Sequence, residues 1–137
     1  MTGLRYLLDT NVVSDYVRGD GLVQARLRST PPAAIALATV TVMEIEYGLA
    51  LEPARARRLR PVIDALLSAV TVLPFSAEDA RVAGSVRAAL RRHGRPIGPY
   101  DVLLAGCALS RGLALVTANG RGFGRIAGLR LEDWRRL

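Results

Sequence analysis

The chain has 137 residues, half of them hydrophobic and 23% charged, with a formal net charge of +7. That balance excludes a disordered polyelectrolyte, and a single cysteine, Cys107, excludes an internal disulfide framework. The 19 Lys and Arg positions are all arginine, and guanidinium groups suit phosphate because they grip it through two parallel hydrogen bonds.

The length predicts one domain over residues 1–137, large enough to bury a core without bridges. Cys107 sits in the apolar run Val102–Leu109 and is expected to be a small buried filler, at home in a reducing cytoplasm. No secretory signal pattern opens the chain. The longest apolar stretch, Ala33 to Met43, is too short to span a bilayer, so no membrane segment is expected.

Arg5-Tyr6-Leu7-Leu8-Asp9-Thr10-Asn11 reads as a short buried strand that ends abruptly in polar residues. A helix follows over Asn11 to Arg18, and Gly19-Asp20-Gly21 breaks it. Leu22 to Arg28 is a second short helix, stopped by Pro31-Pro32. Ala34 to Ala38 is compatible with a second buried strand. Thr41-Val42-Met43-Glu44 has the spacing of a capping box and predicts a helix start there.

Pro53 starts a helix carrying Arg55, Arg57, Arg58 and Arg60, and Pro61 predicts a kink or restart within it. Thr71 to Leu73 is a short strand. Ser76 caps the next helix, with Glu78 and Asp79 in its first turn, and His93-Gly94 ends it. Gly98-Pro99-Tyr100-Asp101 opens a helix that closes at Arg111-Gly112. Leu113 to Thr117 is a strand, residues 118–125 a glycine-rich turn, and residues 129–131 a last edge strand, with Trp134 anchoring the C-terminus. Strands alternating with helices predict a parallel α/β sheet covered on both faces.

Three acids then stand in similar local settings. Asp9 ends the first strand, Glu44 falls in the first turn after the second, and Asp101 in the first turn before the Leu113 strand. Strand ends and helix starts on one edge of such a sheet converge on one crevice. Each acid also has a plain structural role: a cap for Asp9, a capping box for Glu44, a favourable helix dipole for Asp101. Three converging carboxylates, however, repel one another unless a cation offsets them, and an all-oxygen set suits Mg²⁺ or Mn²⁺. Beside a basic surface, such an ion suggests phosphodiester hydrolysis.

Leu7-Leu8-Asp9-Thr10-Asn11 resembles the opening motif of the PIN-domain ribonucleases. Thr41 to Gly48 is similar to their second acidic motif, and Gly94 to Asp101 followed by Leu104-Ala105-Gly106 to their third. Val116-Thr117-Ala118-Asn119 through Phe123, Gly128-Leu129 and Glu132-Asp133-Trp134 resembles the C-terminal signature of the VapC-type toxins of bacterial toxin–antitoxin pairs. The resemblance covers essentially the whole chain.

That resemblance implies a three-layer α/β/α sandwich with a mostly parallel central sheet. It implies a metal-dependent endoribonuclease in which Asp9, Glu44 and Asp101 bind Mg²⁺ or Mn²⁺. Thr10, Asn11, Thr117 and Asn119 would support the site. RNA, tRNA first, would be the substrate, and a VapB-type antitoxin and a second copy of the chain the partners. Arg55, Arg57, Arg58 and Arg60 would track RNA or meet an acidic partner, or simply form a solvated helix face. One departure stands out. The family often carries a fourth acid where this chain has Gly122, and the alternative position holds Asn119. This departure motivates an alternative: a catalytically weakened RNA- or partner-binding module. His93, the serines and Cys107 offer no competing catalytic arrangement, and a chain without lysine has no phosphate-loop motif.

Overall fold

The computed structural model describes residues 3–136. Five strands form one sheet: β1 (Tyr6–Leu8), β2 (Ile35–Ala38), β3 (Thr71–Leu73), β4 (Ala114–Val116) and β5 (Leu131–Glu132). Their order is β3-β2-β1-β4-β5 and every pairing is parallel, with Tyr6 opposite both Ile35 and Ala114. The three inner strands are short apolar runs because both of their faces are covered. At the edges, Thr71 and Val72 are exposed and β5 is only half-buried.

Side chains alternate between two cores, as the two-residue strand period requires. Leu7, Ala36, Ala38 and Leu115 enter one core, under α5 (Ala77–Arg92) and α6 (Pro99–Arg111). Leu8, Ile35, Leu37 and Val116 enter the other. That second core is covered by α1 (Thr10–Arg18), α2 (Gly21–Arg28), α3 (Thr39–Leu51) and α4 (Pro53–Ala69). The result is the expected three-layer α/β/α arrangement. Trp134 closes the second core at 2% exposure, its ring edge-on to Tyr6 and its indole N–H donated to Glu132. Cys107 is fully buried in the first core, and burial pushes its thiol up, as befits an inert filler. Among the described residues, no helix is long and apolar enough to cross a membrane.

Strand order reverses between β1 and β4, where connections leave in opposite directions. In open α/β sheets the carboxyl ends of the strands at such a point border a crevice. Asp9 follows β1 directly, and Thr117 follows β4 directly.

Several local expectations need correction. Helix α3 begins at Thr39, with Ala38 in extended backbone as its N-cap and no side-chain capping bond. Thr41 therefore does not form a capping box. It lies within the first turn, fully buried, and its hydroxyl has no partner among the described residues. Glu44 falls in the second turn, not the first, so capping does not account for it. Pro61 does not restart α4, which runs unbroken to Ala69. Pro61 is exposed, so water can take up the carbonyl left without a donor. Residues 118–125 contain a short helix, α7 (Gly120–Phe123), capped by Asn119. The last strand lies at Leu131–Glu132, slightly beyond the range expected.

Candidate active site

Asp9 is the N-cap of α1, with extended backbone and only 6% exposure. One carboxylate oxygen accepts the backbone N–H of Thr10 at 2.7 Å. The other accepts the hydroxyl of Thr117 at 2.8 Å, across from the end of β4. Burial pushes the Asp9 carboxyl above its ordinary value of 3.8, while the bonds from Thr117 and Thr10 pull it back in part. Capping alone therefore does not describe Asp9. The cap uses one oxygen, and the chain supplies a buried hydroxyl from a distant strand for the other.

Glu44 is half-buried on α3 and accepts the hydroxyl of Thr10 at 2.9 Å. Thr10 thus bridges two acids, its amide to Asp9 and its hydroxyl to Glu44. Asp101 lies in the first turn of α6, after Gly98 and Pro99. Burial first, then the negative charges of Asp9 and Glu44, push its carboxyl above the ordinary value. The three acids share one electrostatic environment.

The supporting residues form a chain of bonds on the other side. The Thr117 hydroxyl accepts the Asn119 backbone N–H at 3.0 Å while donating to Asp9. The Asn119 side-chain oxygen accepts the Gly122 N–H at 3.1 Å, and that of Asn11 accepts the Ala118 N–H at 3.5 Å. A Cβ on Gly122 would lie 2.9 Å from the Asn119 amide nitrogen, so Gly122 and this conformation of Asn119 belong together. A cavity of about 180 Å³ opens beside Thr10 and Glu44, between α1, α3 and α4, and Arg55 lines it.

The four arginines on α4 are not equivalent. Arg60 is held by Glu46 at 2.6 and 2.7 Å, and Arg55 lies 3.9 Å from Glu52. Arg57 and Arg58 are exposed, with no ion pair among the described residues.

Sequence reasoning missed the cluster around Asp79. This acid is 1% exposed, and it accepts from the Ser110 hydroxyl, the Ser76 amide at 2.8 Å and Arg111 at 3.0 Å. Burial raises its carboxyl, but those three donors outweigh it and hold it below the ordinary value. The signal was present as Ser76-x-x-Asp79, a true reciprocal capping box.

The donor chemistry at Asp9, Glu44 and Asp101 suits a hard divalent ion: oxygen atoms only, with like charges that a cation would relieve. Among the described residues, no three His, Cys, Asp or Glu side chains close into a ready-made cage.

The PIN-domain family model matches residues 6–129. Over 131 residues the chain is 38% identical to the tRNA(fMet)-specific endonuclease VapC of Shigella flexneri, covering 96% of this chain and 98% of that protein. It is 33% identical to the ribonuclease VapC2 of Haemophilus influenzae, again over 96% and 98%. The crystal structure of DNA-bound VapBC from Salmonella typhimurium contains a chain that superposes with a TM-score of 0.87 at 36% identity, covering 96% of this chain and 98% of that one. With a family model over most of its length and likeness of this extent, the chain belongs to the PIN-domain family and, within it, to the VapC ribonucleases.

Proposed function

We propose that this protein is the endoribonuclease toxin of a toxin–antitoxin pair, and that it cuts RNA at Asp9, Glu44 and Asp101 with a divalent cation. The observation that carries this reading is that Thr10 bonds both Asp9 and Glu44, while Asp101, raised first by its burial, also feels the negative charge of both. A bound Mg²⁺ or Mn²⁺ would supply Lewis acidity toward a phosphoryl oxygen and an activated water. Thr117 and the Thr10 amide fix Asp9 in one rotamer. Thr10 orients Glu44, and the first turn of α6 carries Asp101. Asn11 and Asn119 brace the loop after β4 and keep Thr117 aimed at Asp9.

Likeness over 96% of the chain to proteins named tRNA(fMet)-specific endonuclease VapC makes a tRNA the first substrate to test. An antitoxin segment entering the cavity between α1, α3 and α4 would reach Glu44 and meet Arg55. Met43, Tyr47 and Leu51, exposed at four-residue spacing along α3, suit a protein partner or a second copy of the chain. Arg57 and Arg58 remain free to meet RNA phosphates or an acidic partner.

The test is to incubate the purified protein with total RNA and Mn²⁺ and to map the new ends. Discrete new ends on one tRNA are expected. Gly122 and Asn119, in place of a fourth acid, favour a second reading, a weakened binding module. Retained RNA binding with no new ends would select that reading instead.

A further inference from the structure

Three carboxylates repel the phosphate backbone they are proposed to cut, so affinity for RNA has to come from elsewhere on the surface. Several arginines cannot supply it freely, because acids neutralise them: Arg26 with Glu132, Arg60 with Glu46 and Asp64, Arg111 with Asp79. Besides Arg57 and Arg58 on α4, a larger group of unpaired arginines lies in two acid-free stretches of the chain. No acid occurs between Asp79 and Asp101, and none between Asp101 and Glu132. Arg87, Arg91, Arg92, Arg95, Arg121 and Arg125 are all exposed, and none has an ion pair among the described residues.

A groove of about 1240 Å³ runs along α5 against residues 124–127. His93 and Arg95 stand on one side and Arg125 on the other, over a floor that includes Val86, Leu90 and Ile126. Both walls are close in sequence to residues of the acidic crevice. Arg95 precedes Asp101 by six residues, and Arg125 follows Asn119 by six. Six residues span at most about 20 Å when fully extended. Glu78 and Arg81, paired with each other, also line the groove, but Arg95 and Arg125 are unpaired; such cations over an apolar floor suit a single strand, whose phosphates stay at the rim while the faces of its bases leave water.

Resting on the nuclease reading above, we propose that this groove is the path of the RNA strand flanking the scissile phosphate, with Arg95 and Arg125 as its phosphate contacts. An acidic protein segment has a compatible charge. RNA is favoured because Arg95 and Arg125 each lie six residues along the chain from a residue of the proposed cleavage site, Asp101 and Asn119.

The test uses the full chain carrying Asp101→Asn, which keeps RNA intact, with bulk tRNA as the probe. Arg95→Ala, Arg125→Ala and the double variant are compared with Arg28→Ala, which removes the same charge from exposed α2. Each single change should weaken binding about three- to tenfold at low salt. The slope of log affinity against log salt should fall by about 0.7–0.9 for each phosphate that no longer meets an arginine. In the cleaving background, KM should rise with kcat held within about twofold, as expected when binding common to ground and transition state is removed. Arg28→Ala should leave the slope unchanged. The proposal is overturned if the double variant keeps the parent's affinity and slope, or if Arg28→Ala loses as much. It is also overturned if the double variant alters only self-association or the affinity for a protein partner. If the parent cleaves no RNA yet the double variant still loses slope, the groove stands and the nuclease reading falls.

Discussion

Thr117 does two jobs with one hydroxyl: it donates to Asp9 and accepts the Asn119 amide. It is 2% exposed, so water cannot replace either bond. Thr117→Val keeps the shape and removes both, and should cost about 1–3 kcal/mol in denaturant unfolding. The bond from Thr117 favours the charged form of Asp9, so its loss moves the Asp9 carboxyl further up. The acid limb of the cleavage pH profile should therefore shift to higher pH, and Thr117→Ser should restore it. Thr41 provides the contrast. Its buried hydroxyl has no partner among the described residues, so Thr41→Val should be neutral or stabilise by up to about 1 kcal/mol. Were Thr41 the helix cap that its spacing with Glu44 suggests, the same change would cost about 1 kcal/mol. Thermal unfolding of that variant separates the two.

At the scale of elements, α6 decides where Asp101 stands, and α5 decides where α6 stands. Gly106 lets the two helices touch: a Cβ there would lie 2.6 Å from that of Ala83 and 2.8 Å from the Asp79 carbonyl oxygen. Gly106→Ala gains about 1 kcal/mol in helix propensity but forces two backbones apart. A net loss of about 1–3 kcal/mol is expected. Cleavage should fall by more than the unfolded fraction explains, because Asp101 moves with its helix. Ala83→Gly in the same chain should recover part of both losses. The packing of α5 on α6 is also where the sequence was least legible. Ser76 and Asp79 announce a helix start, but nothing local says that Asp79 also receives Ser110 and Arg111 from 31 and 32 residues away. Long-range partners leave no trace in a local pattern. Where the pattern was local, it was readable. Pro99 and Asp101 opened α6 and Gly112 closed it, and the apolar run before Asp9 gave β1. Glu44 shows the opposite failure. Its spacing from Thr41 mimicked a cap, while its real partner, Thr10, lies 34 residues back.

Over the whole molecule, the charge distribution is a compromise between stability and the site. The raised carboxyls of Asp9 and Asp101 favour folding most below their ordinary value of 3.8, and that contribution is lost as pH rises through their elevated folded values. Asp79, held low, works the other way: its contribution is present above 3.8 and lost as pH falls through its lowered value. At neutral pH the metal-free protein therefore carries buried charge at Asp9 and Asp101, and at Asp101 the repulsion of Asp9 and Glu44 as well. Asp101→Asn should raise its melting temperature in EDTA by a few degrees. Mn²⁺ at about ten times its Kd should stabilise the parent by about 1.4 kcal/mol, and the variant by much less. Equal melting temperatures for parent and variant in both conditions would deny the shared cation site.

The most direct measurement is the single-turnover cleavage rate of tRNA by the parent and by Asp9→Asn, Glu44→Gln and Asp101→Asn, in Mn²⁺ and in EDTA. The expected result is cleavage by the parent in Mn²⁺ alone. Each substitution should then lower the rate at least about a hundredfold, the scale on which losing one charge-stabilising group acts, while circular dichroism stays unchanged. Cleavage by folded Asp101→Asn at the parent's rate, or by the parent in EDTA, would contradict the account.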